Sequence, residues 1–321
     1  MSVIGQDVQV FDTAAIDPSD RFDAWREAVD AAYVPLQVEA RCTGGYQGLL
    51  RSQDLGAVMA TEVGGSPVTV WRDRASIALS DPGVYKFGLQ LRGYCVLCQD
   101  GREAALTPGD LAIYDTTRPY TLHVPDLYQM FILVIPRDRL GLLPGQVREL
   151  TAERISGRRG LGSLTSSLLT QLGAQMCAGG ADPTPRAVDA IVDLVGATLS
   201  QRFSDTGRVP GASTVVAAAT AWIDEHLCDP CLTVDDVALS QHVSIRYLQK
   251  LFAEQDVTPS GWIRQRRIQR CRADLLDPAL RTRPVASIGA RWGFEDPSGF
   301  TRVFKAQTGM TPGEYRARGT P

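Results

Sequence analysis

The residues best equipped for chemistry lie towards the C-terminal end, on two short segments with one polar and one apolar face. In the first, Ile245, Leu248, Leu251 and Phe252 share one side of a helix and leave Arg246, Gln249 and Lys250 on the other. In the second, Phe300, Val303 and Phe304 share one side and leave Ser298, Thr301, Arg302 and Lys305 outside. Arg and Lys donate to guanine, Gln pairs with adenine, and Ser or Thr serves base edges and phosphates. These are the side chains that read a DNA major groove. Ser244 and Asp296 each stand where a helix N-cap belongs, able to accept from the first free amides. A merely solvated helix face has a similar composition, so a single segment of this kind says little.

The duplication says more. Val234 and Val237 match Val285 and Ile288, 51 residues on. Leu248, Leu251 and Phe252 match Phe300, Val303 and Phe304 at an offset of 52, and Thr258-Pro259 matches Thr311-Pro312 at 53. The offset drifts only at turns, where an insertion is tolerated. Each copy reads as a short helix, a turn and a second helix. Between them the pattern predicts a helix over Pro259–Leu276, roughly 27 Å long at 1.5 Å per residue, enough to hold two reading heads about one turn of DNA apart.

Other reactive residues are sparser. Cys95-Val96-Leu97-Cys98 and Cys228-Asp229-Pro230-Cys231 have the spacing of redox and metal motifs. The first pair lies in an expected strand, where residues three apart face opposite sides, and some 130 residues separate the pairs, so buried small hydrophobes are the better reading. His123 stands alone, with Thr121 two residues before it, which leaves a metal-dependent barrel enzyme short of ligands. No catalytic residue, metal or cofactor is expected.

Composition is that of a folded soluble protein, with 44% apolar and 21% charged residues. The chain of 321 residues carries a formal charge of −3. From Ala212 onward there are 14 Lys and Arg against 12 Asp and Glu, whereas the remainder has 19 against 24. Arg264, Arg266, Arg267, Arg270 and Arg272 cluster with no acid among them, although charge alone is weak evidence of DNA contact. No run reaches the ~20 apolar residues of a membrane helix, and the first twenty residues lack a signal pattern, so a cytoplasmic protein is expected.

Ahead of this module, residues 21–135 read as one helix, through Phe22, Trp25 and Val29, followed by short strands broken at turn signals such as Asp81-Pro82-Gly83, Asp100-Gly101 and Pro108-Gly109-Asp110. That predicts a sandwich or small barrel. Residues 160–203 read as a helical hairpin, with stripes Leu161, Leu164, Leu168, Leu172, Met176 and Val188, Ile191, Val192, Val195, Leu199. Its spare apolar surface would meet the barrel or another subunit. Ser204–Ser213 reads as a linker between a domain over 1–203 and one over 214–321. Strand parity puts Phe87, Leu89 and Leu91 on one face and Tyr120, Leu122 and Val124 on another, with Tyr114, Arg118, Tyr120 and His123 as possible polar anchors of a pocket.

The tail resembles the AraC/XylS regulators, through Leu232-Thr233, Val237-Ala238, Ser244, Leu248-Gln249, Phe252, Ile288, Trp292-Gly293-Phe294, Phe300, Arg302-Val303-Phe304-Lys305, Gly309, Thr311-Pro312 and Tyr315-Arg316. The resemblance covers about 100 residues. It implies two recognition helices in successive major grooves, with base contacts from Arg246, Gln249 and Lys250 and from Ser298, Thr301 and Arg302. Pro297 and Gly299 give the second helix a plain start, which favours backbone contacts there. The front half resembles the effector-binding domain of such regulators through Arg21-Phe22-Asp23-Ala24-Trp25, Gln99-Asp100-Gly101-Arg102 and Tyr114–Tyr120.

The resemblances together imply an α+β protein of two domains, a cupin-like β-barrel with a dimerising helical hairpin and an all-α double helix-turn-helix module. They further imply a homodimeric activator that binds operator DNA, takes a small organic effector in the barrel, here expected at Phe87, Leu89, Tyr114, Tyr120 and His123, and meets RNA polymerase. The alternatives are a constitutive regulator whose front half only dimerises, and an enzyme of the cupin kind fused to a DNA-binding module.

Overall fold

The computed structural model of the chain describes residues 8–41, 45–56, 58–179, 183–205 and 212–318. They divide into two compact units, Met1–Leu140 with Val147–Asp205, and Gly141–Gln146 with Thr206–Pro321. Residues 206–211, which make up most of the expected linker, lie outside the described ones.

The first unit runs β1 (Gln9–Asp12), α1 (Arg21–Ala32), β2 (Gln37–Ala40), β3 (Gly48–Asp54), β4 (Met59–Gly65), β5 (Val68–Arg72), α2 (Arg74–Leu79), β6 (Val84–Arg92), β7 (Cys95–Gln99), β8 (Arg102–Leu106), β9 (Leu111–Asp115), β10 (Tyr120–Val124) and β11 (Tyr128–Pro136). A short α3 (Pro144–Leu150) precedes the helical pair α4 (Gly160–Cys177) and α5 (Pro185–Asp205). The strands form two antiparallel sheets, in the orders β1-β3-β4-β11-β6-β9 and β2-β5-β10-β7-β8. The turn signal Asp100-Gly101 is the hairpin that joins β7 to β8, with Asp100 at φ 53° and Gly101 at φ 72°. Both values are left-handed, as a two-residue turn matched to strand twist requires.

One core fills the space between the sheets. Leu50, Val63, Met130 and Ile132 come from the first, and Val70, Leu97, Leu106, Leu122 and Val124 from the second. Trp25 and Val29 of α1 are buried against the same cluster. The indole lies so close to β3 that a Cβ on Gly48 would fall 2.1 Å from its ring, so glycine is needed there.

The six-stranded sheet is buried on its outer side too. Phe131 sits opposite Leu89 and Leu133 opposite Phe87 in the β6–β11 ladder, all fully buried. Helix α4 lies over them, with a Cβ at Gly173 only 3.1 Å from the Phe131 ring. The face α4 turns inward is Gly162, Thr165, Ser166, Leu169, Leu172, Gly173 and Met176. This corrects the expected stripe, because Leu164 and Leu168 are 60% and 38% exposed. Small residues let the helix approach the sheet, and a count of large apolar side chains overlooks them. The α5 stripe, Val188 through Leu199, is buried as expected, and Thr165 and Thr198 share a 2.7 Å hydrogen bond between the helices.

The second unit is helical: α6 (Ala212–His226), α7 (Val234–Ser240), α8 (Ile245–Ala253), α9 (Pro259–Leu276), α10 (Val285–Arg291), α11 (Pro297–Thr308) and α12 (Pro312–Arg318). It holds two cores, and α9 serves both. Trp262 and Ile263 pack with Ile223, Val237, Leu248 and Phe252, whereas Ile268, Cys271 and Leu275 pack with Ile288, Phe300 and Phe304. The repeated apolar skeleton is therefore the core of two helix pairs mounted on one shared helix.

Candidate nucleic-acid interface and internal cavity

Helix α8 starts where Ser244 accepts a hydrogen bond from the Tyr247 amide at 3.2 Å. Asp296 does the same for α11, accepting from the amides of Ser298 (2.9 Å) and Gly299 (2.8 Å). Such caps fix the first turn, the part of a recognition helix that meets bases. Leu248, Leu251 and Phe252 are buried, and Arg246, Gln249 and Lys250 are exposed. Ile245, expected inside, is exposed, and beside it Tyr247 is 42% exposed. The outward face of α8 is thus broader and more apolar than its polar residues alone suggest.

On α11, Ser298, Arg302 and Lys305 are exposed and Thr301 is half-buried. The Thr301 hydroxyl donates back to the Pro297 carbonyl at 2.9 Å, which leaves it an acceptor. The cations are loosely held. Lys250 lies 3.9 Å from Glu254, and Arg302 lies 3.9 Å from Asp296. Exposed pairs of that kind are worth about 0–1 kcal/mol, so a phosphate or guanine competes easily for either cation.

The arginine cluster of α9 has mostly structural work. Arg266 makes a two-bonded ion pair with Asp224, both contacts 2.7 Å. Arg267 donates to the carbonyls of Leu227 (3.1 Å), Asp229 (2.5 Å) and Gly293 (3.1 Å). Its guanidinium thereby ties the end of α6 to the turn after α10. Arg270 lies over the Trp292 ring, and Arg272 donates to the Tyr315 hydroxyl at 3.1 Å. Only Arg264 of the five is exposed.

Between the two sheets of the first unit lies a cavity of about 40 Å³, measured as the space open to the centre of a water molecule. Tyr114, Tyr120, Leu122 and Val124 line it, together with Trp25, Tyr33, Lys86, Tyr128 and Met130. Phe87 and Leu89 do not. On β6 the inward residues are Lys86 and its even-numbered neighbours, so the expected parity was one residue out, and Phe87 and Leu89 lie under α4 instead. His123 is half-buried and falls outside the lining, on the opposite face of β10 from Leu122 and Val124. A larger groove of about 750 Å³ opens at the surface of the same unit, with the Arg51–Glu62 ion pair (2.8 Å) in its wall.

Sequence reasoning missed Lys86, which is 2% exposed. Its Nζ lies 3.9 Å from the centre of the Tyr33 ring and 3.5 Å from the Tyr120 hydroxyl. Burial, with the Arg72 charge behind it, pulls its ammonium down to about 7. The one available signal was a lysine inside the apolar run Val84–Leu91. Cys95 is buried and its thiol is pushed up to about 12 by that burial, while Cys98 is half-buried across the strand. Among the described residues no group of three His, Cys, Asp or Glu is placed to hold a metal, and no helix is long and apolar enough to cross a membrane.

Two capped helix-turn-helix units on one shared helix, each with exposed polar and cationic residues, define a DNA-binding module. Comparison with known proteins agrees. Residues 25–200 match the AraC-binding-like domain and residues 237–318 a helix-turn-helix domain. The chain is 31% identical over 255 residues to the transcriptional activator NphR of a Rhodococcus species, covering 77% of this chain and 74% of that one. It is 26% identical over 258 residues to the arabinose operon regulatory protein of Salmonella typhimurium, covering 73% and 83%. The crystal structure of the AraC-like transcriptional activator CuxR shares the fold, with a TM-score of 0.53 at 20% identity over 81% of this chain and 93% of that one. The chain belongs to the AraC family of DNA-binding transcription regulators.

Proposed function

We propose that this regulator is an activator controlled by a small organic effector held between the two sheets of its first unit. The observation that carries this reading is the mostly apolar cavity of about 40 Å³ with a few polar groups converging on it, inside the region that matches the AraC-binding-like domain. Activation is what the name of NphR states of that protein. In this reading residues 1–203 sense and dimerise, 204–213 link, and 214–321 bind the operator and meet RNA polymerase. Arg246, Gln249 and Lys250 read one major groove, and Ser298, Thr301 and Arg302 contact the next. The exposed Leu164 and Leu168 of α4 supply an apolar face for a second copy of the chain.

Control requires that the effector favour one arrangement of the protein over another. The test is operator affinity and transcription in vitro, with and without each member of a library of small acids, amides, nitriles and amines, beside a thermal-shift screen of the same library. A compound that stabilises the protein as RT ln(1 + [L]/Kd) and changes transcription supports the reading. A blank library with intact operator binding points to a constitutive regulator whose first unit only dimerises.

A further inference from the structure

Cys228 and Cys231, expected as buried small hydrophobes, are both exposed, and both thiols are free. They stand in the segment that joins α6 to α7, on two successive turns hinged at Asp229. The Asp229 amide donates to the His226 carbonyl at 3.0 Å, and the Leu232 amide donates to the Asp229 carbonyl at 3.2 Å. Each turn carries one cysteine. His226 is stacked on Trp222 with its Nδ1 2.8 Å from the Trp222 carbonyl, and among the described residues no third ligand joins the pair in a metal site. What two exposed thiols on adjoining turns can do is exchange with a disulfide.

The same segment is where the two helix-turn-helix units are fastened. Arg267 donates to the carbonyl of Leu227, directly before Cys228, and to that of Asp229, which lies between the cysteines. Its third bond goes to Gly293 in the other unit. Asp229 and Cys228 both act electrostatically on its guanidinium. The Asp229 carbonyl thus serves two donors, while its carboxylate accepts from the Cys231 amide at 2.9 Å.

We propose that Cys228 and Cys231 are a redox switch, whose reversible disulfide releases the Arg267 fastening and with it the joint grip of the two units on operator DNA. It rests on the reading in which both units contact the operator. A disulfide sets its two Cα atoms about 4.4–6.8 Å apart with a torsion near ±90°. Closed across these turns it makes a ring with Asp229 inside, so the peptide at the hinge reorients, and its carbonyl is the one Arg267 holds. The oxidant is a low-molecular-weight disulfide. One cysteine attacks it as thiolate, forming a mixed disulfide and expelling one thiol. The other cysteine then attacks the mixed disulfide and expels the second. The cysteines lose two electrons, the oxidant gains them, and the two protons pass through water to the released thiols.

The experiment uses the full chain, an operator selected from random-sequence duplexes by the reduced protein, and a half-site cut from it. Glutathione disulfide is the oxidant, and gel-shift affinity is read beside mass spectrometry of the peptide holding both cysteines. That peptide should become lighter by two hydrogens. Affinity for the full operator should fall about tenfold, the worth of one charge-assisted hydrogen bond, and that for the half-site by no more than about twofold. Dithiothreitol should restore both. The double variant Cys228→Ser, Cys231→Ser should bind like the reduced parent with or without oxidant. If that variant does not fold, the mapped linkage and its reversal in the parent decide the matter. A pair left unmodified or stopped at the mixed disulfide overturns the switch. So does a disulfide that leaves affinity unchanged or lowers it equally on both DNAs. A loss that persists in the double variant overturns it in favour of another cysteine. A reduced parent that grips the full operator no better than the half-site overturns the two-groove reading, and the switch falls with it.

Discussion

The guanidinium of Arg267 lies against Gly293, so close that a Cβ at that glycine would come within 2.6 Å of the guanidinium carbon. Gly293 has φ 75°, a conformation L side chains avoid, and its carbonyl accepts from Arg267 at 3.1 Å. The same guanidinium reaches Leu227 and Asp229, so one side chain couples the two helix-turn-helix units through their backbones. A half-buried arginine with three carbonyl partners thus fixes how the two helix-turn-helix units are held together.

Gly293→Ala should therefore destabilise the second unit by roughly 1–3 kcal/mol, from left-handed strain and the displaced guanidinium together. Arg267→Ala should leave binding to an isolated half-site closer to normal than binding to the full operator. Denaturation curves and gel-shift affinities on both DNAs check this. Equal losses on half-site and full operator would show that the arginine does not set the spacing of the units.

Arg246→Ala should weaken operator binding by about 1–3 kcal/mol and relax preference at one base pair, as expected for a base-edge contact. Arg302→Ala, at the helix with the plainer start, should weaken all sequences alike and reduce the salt slope by about 1. Affinities measured over a salt series on cognate and mutated operators separate the two. Parent-like binding by the Arg246 variant would remove α8 from the reading of bases.

Lys86 gives the first unit a pH dependence with a definite sign. Its ordinary value is 10.5 and its folded value about 7, so between these the unfolded chain holds a proton that the folded protein has released. Stability contributed by this group therefore rises with pH through that window and is lowest at and below pH 7. Lys86→Met should be the more stable protein at pH 7, on the order of a few kcal/mol, and its advantage should shrink towards pH 10. Urea denaturation at several pH values is the measurement. An advantage that stayed constant with pH would mean the lysine is charged in the fold.

Leu164→Glu combined with Leu168→Glu should turn a dimer into a monomer without lowering the melting temperature of the first unit, because neither side chain is buried in the chain itself. Sedimentation velocity and a thermal melt decide it. An unchanged dimer would place the subunit contact elsewhere.

The sequence by itself determined what depends on local rules or on repetition. The caps at Ser244 and Asp296, the Asp100-Gly101 turn and the bounds of α9 follow from backbone amides that need partners and dihedrals that only certain residues adopt. The repeated skeleton placed Leu248, Phe252, Phe300 and Phe304 in cores because a helix with one wet face shows its period. Tertiary structure alone decided which side of β6 is inside. That strand is covered on both faces, so apolar alternation carries no direction, and Phe87 and Leu89 went under a helix while Lys86 went into the cavity. It also decided the buried face of α4, where Gly162, Thr165, Ser166 and Gly173 join Leu169, Leu172 and Met176 and leave Leu164 and Leu168 outside, and it turned an arginine run that was only weak evidence of DNA contact into the fastening of two helix-turn-helix units. Those outcomes depend on partners distant in the chain, and a local pattern has no access to them.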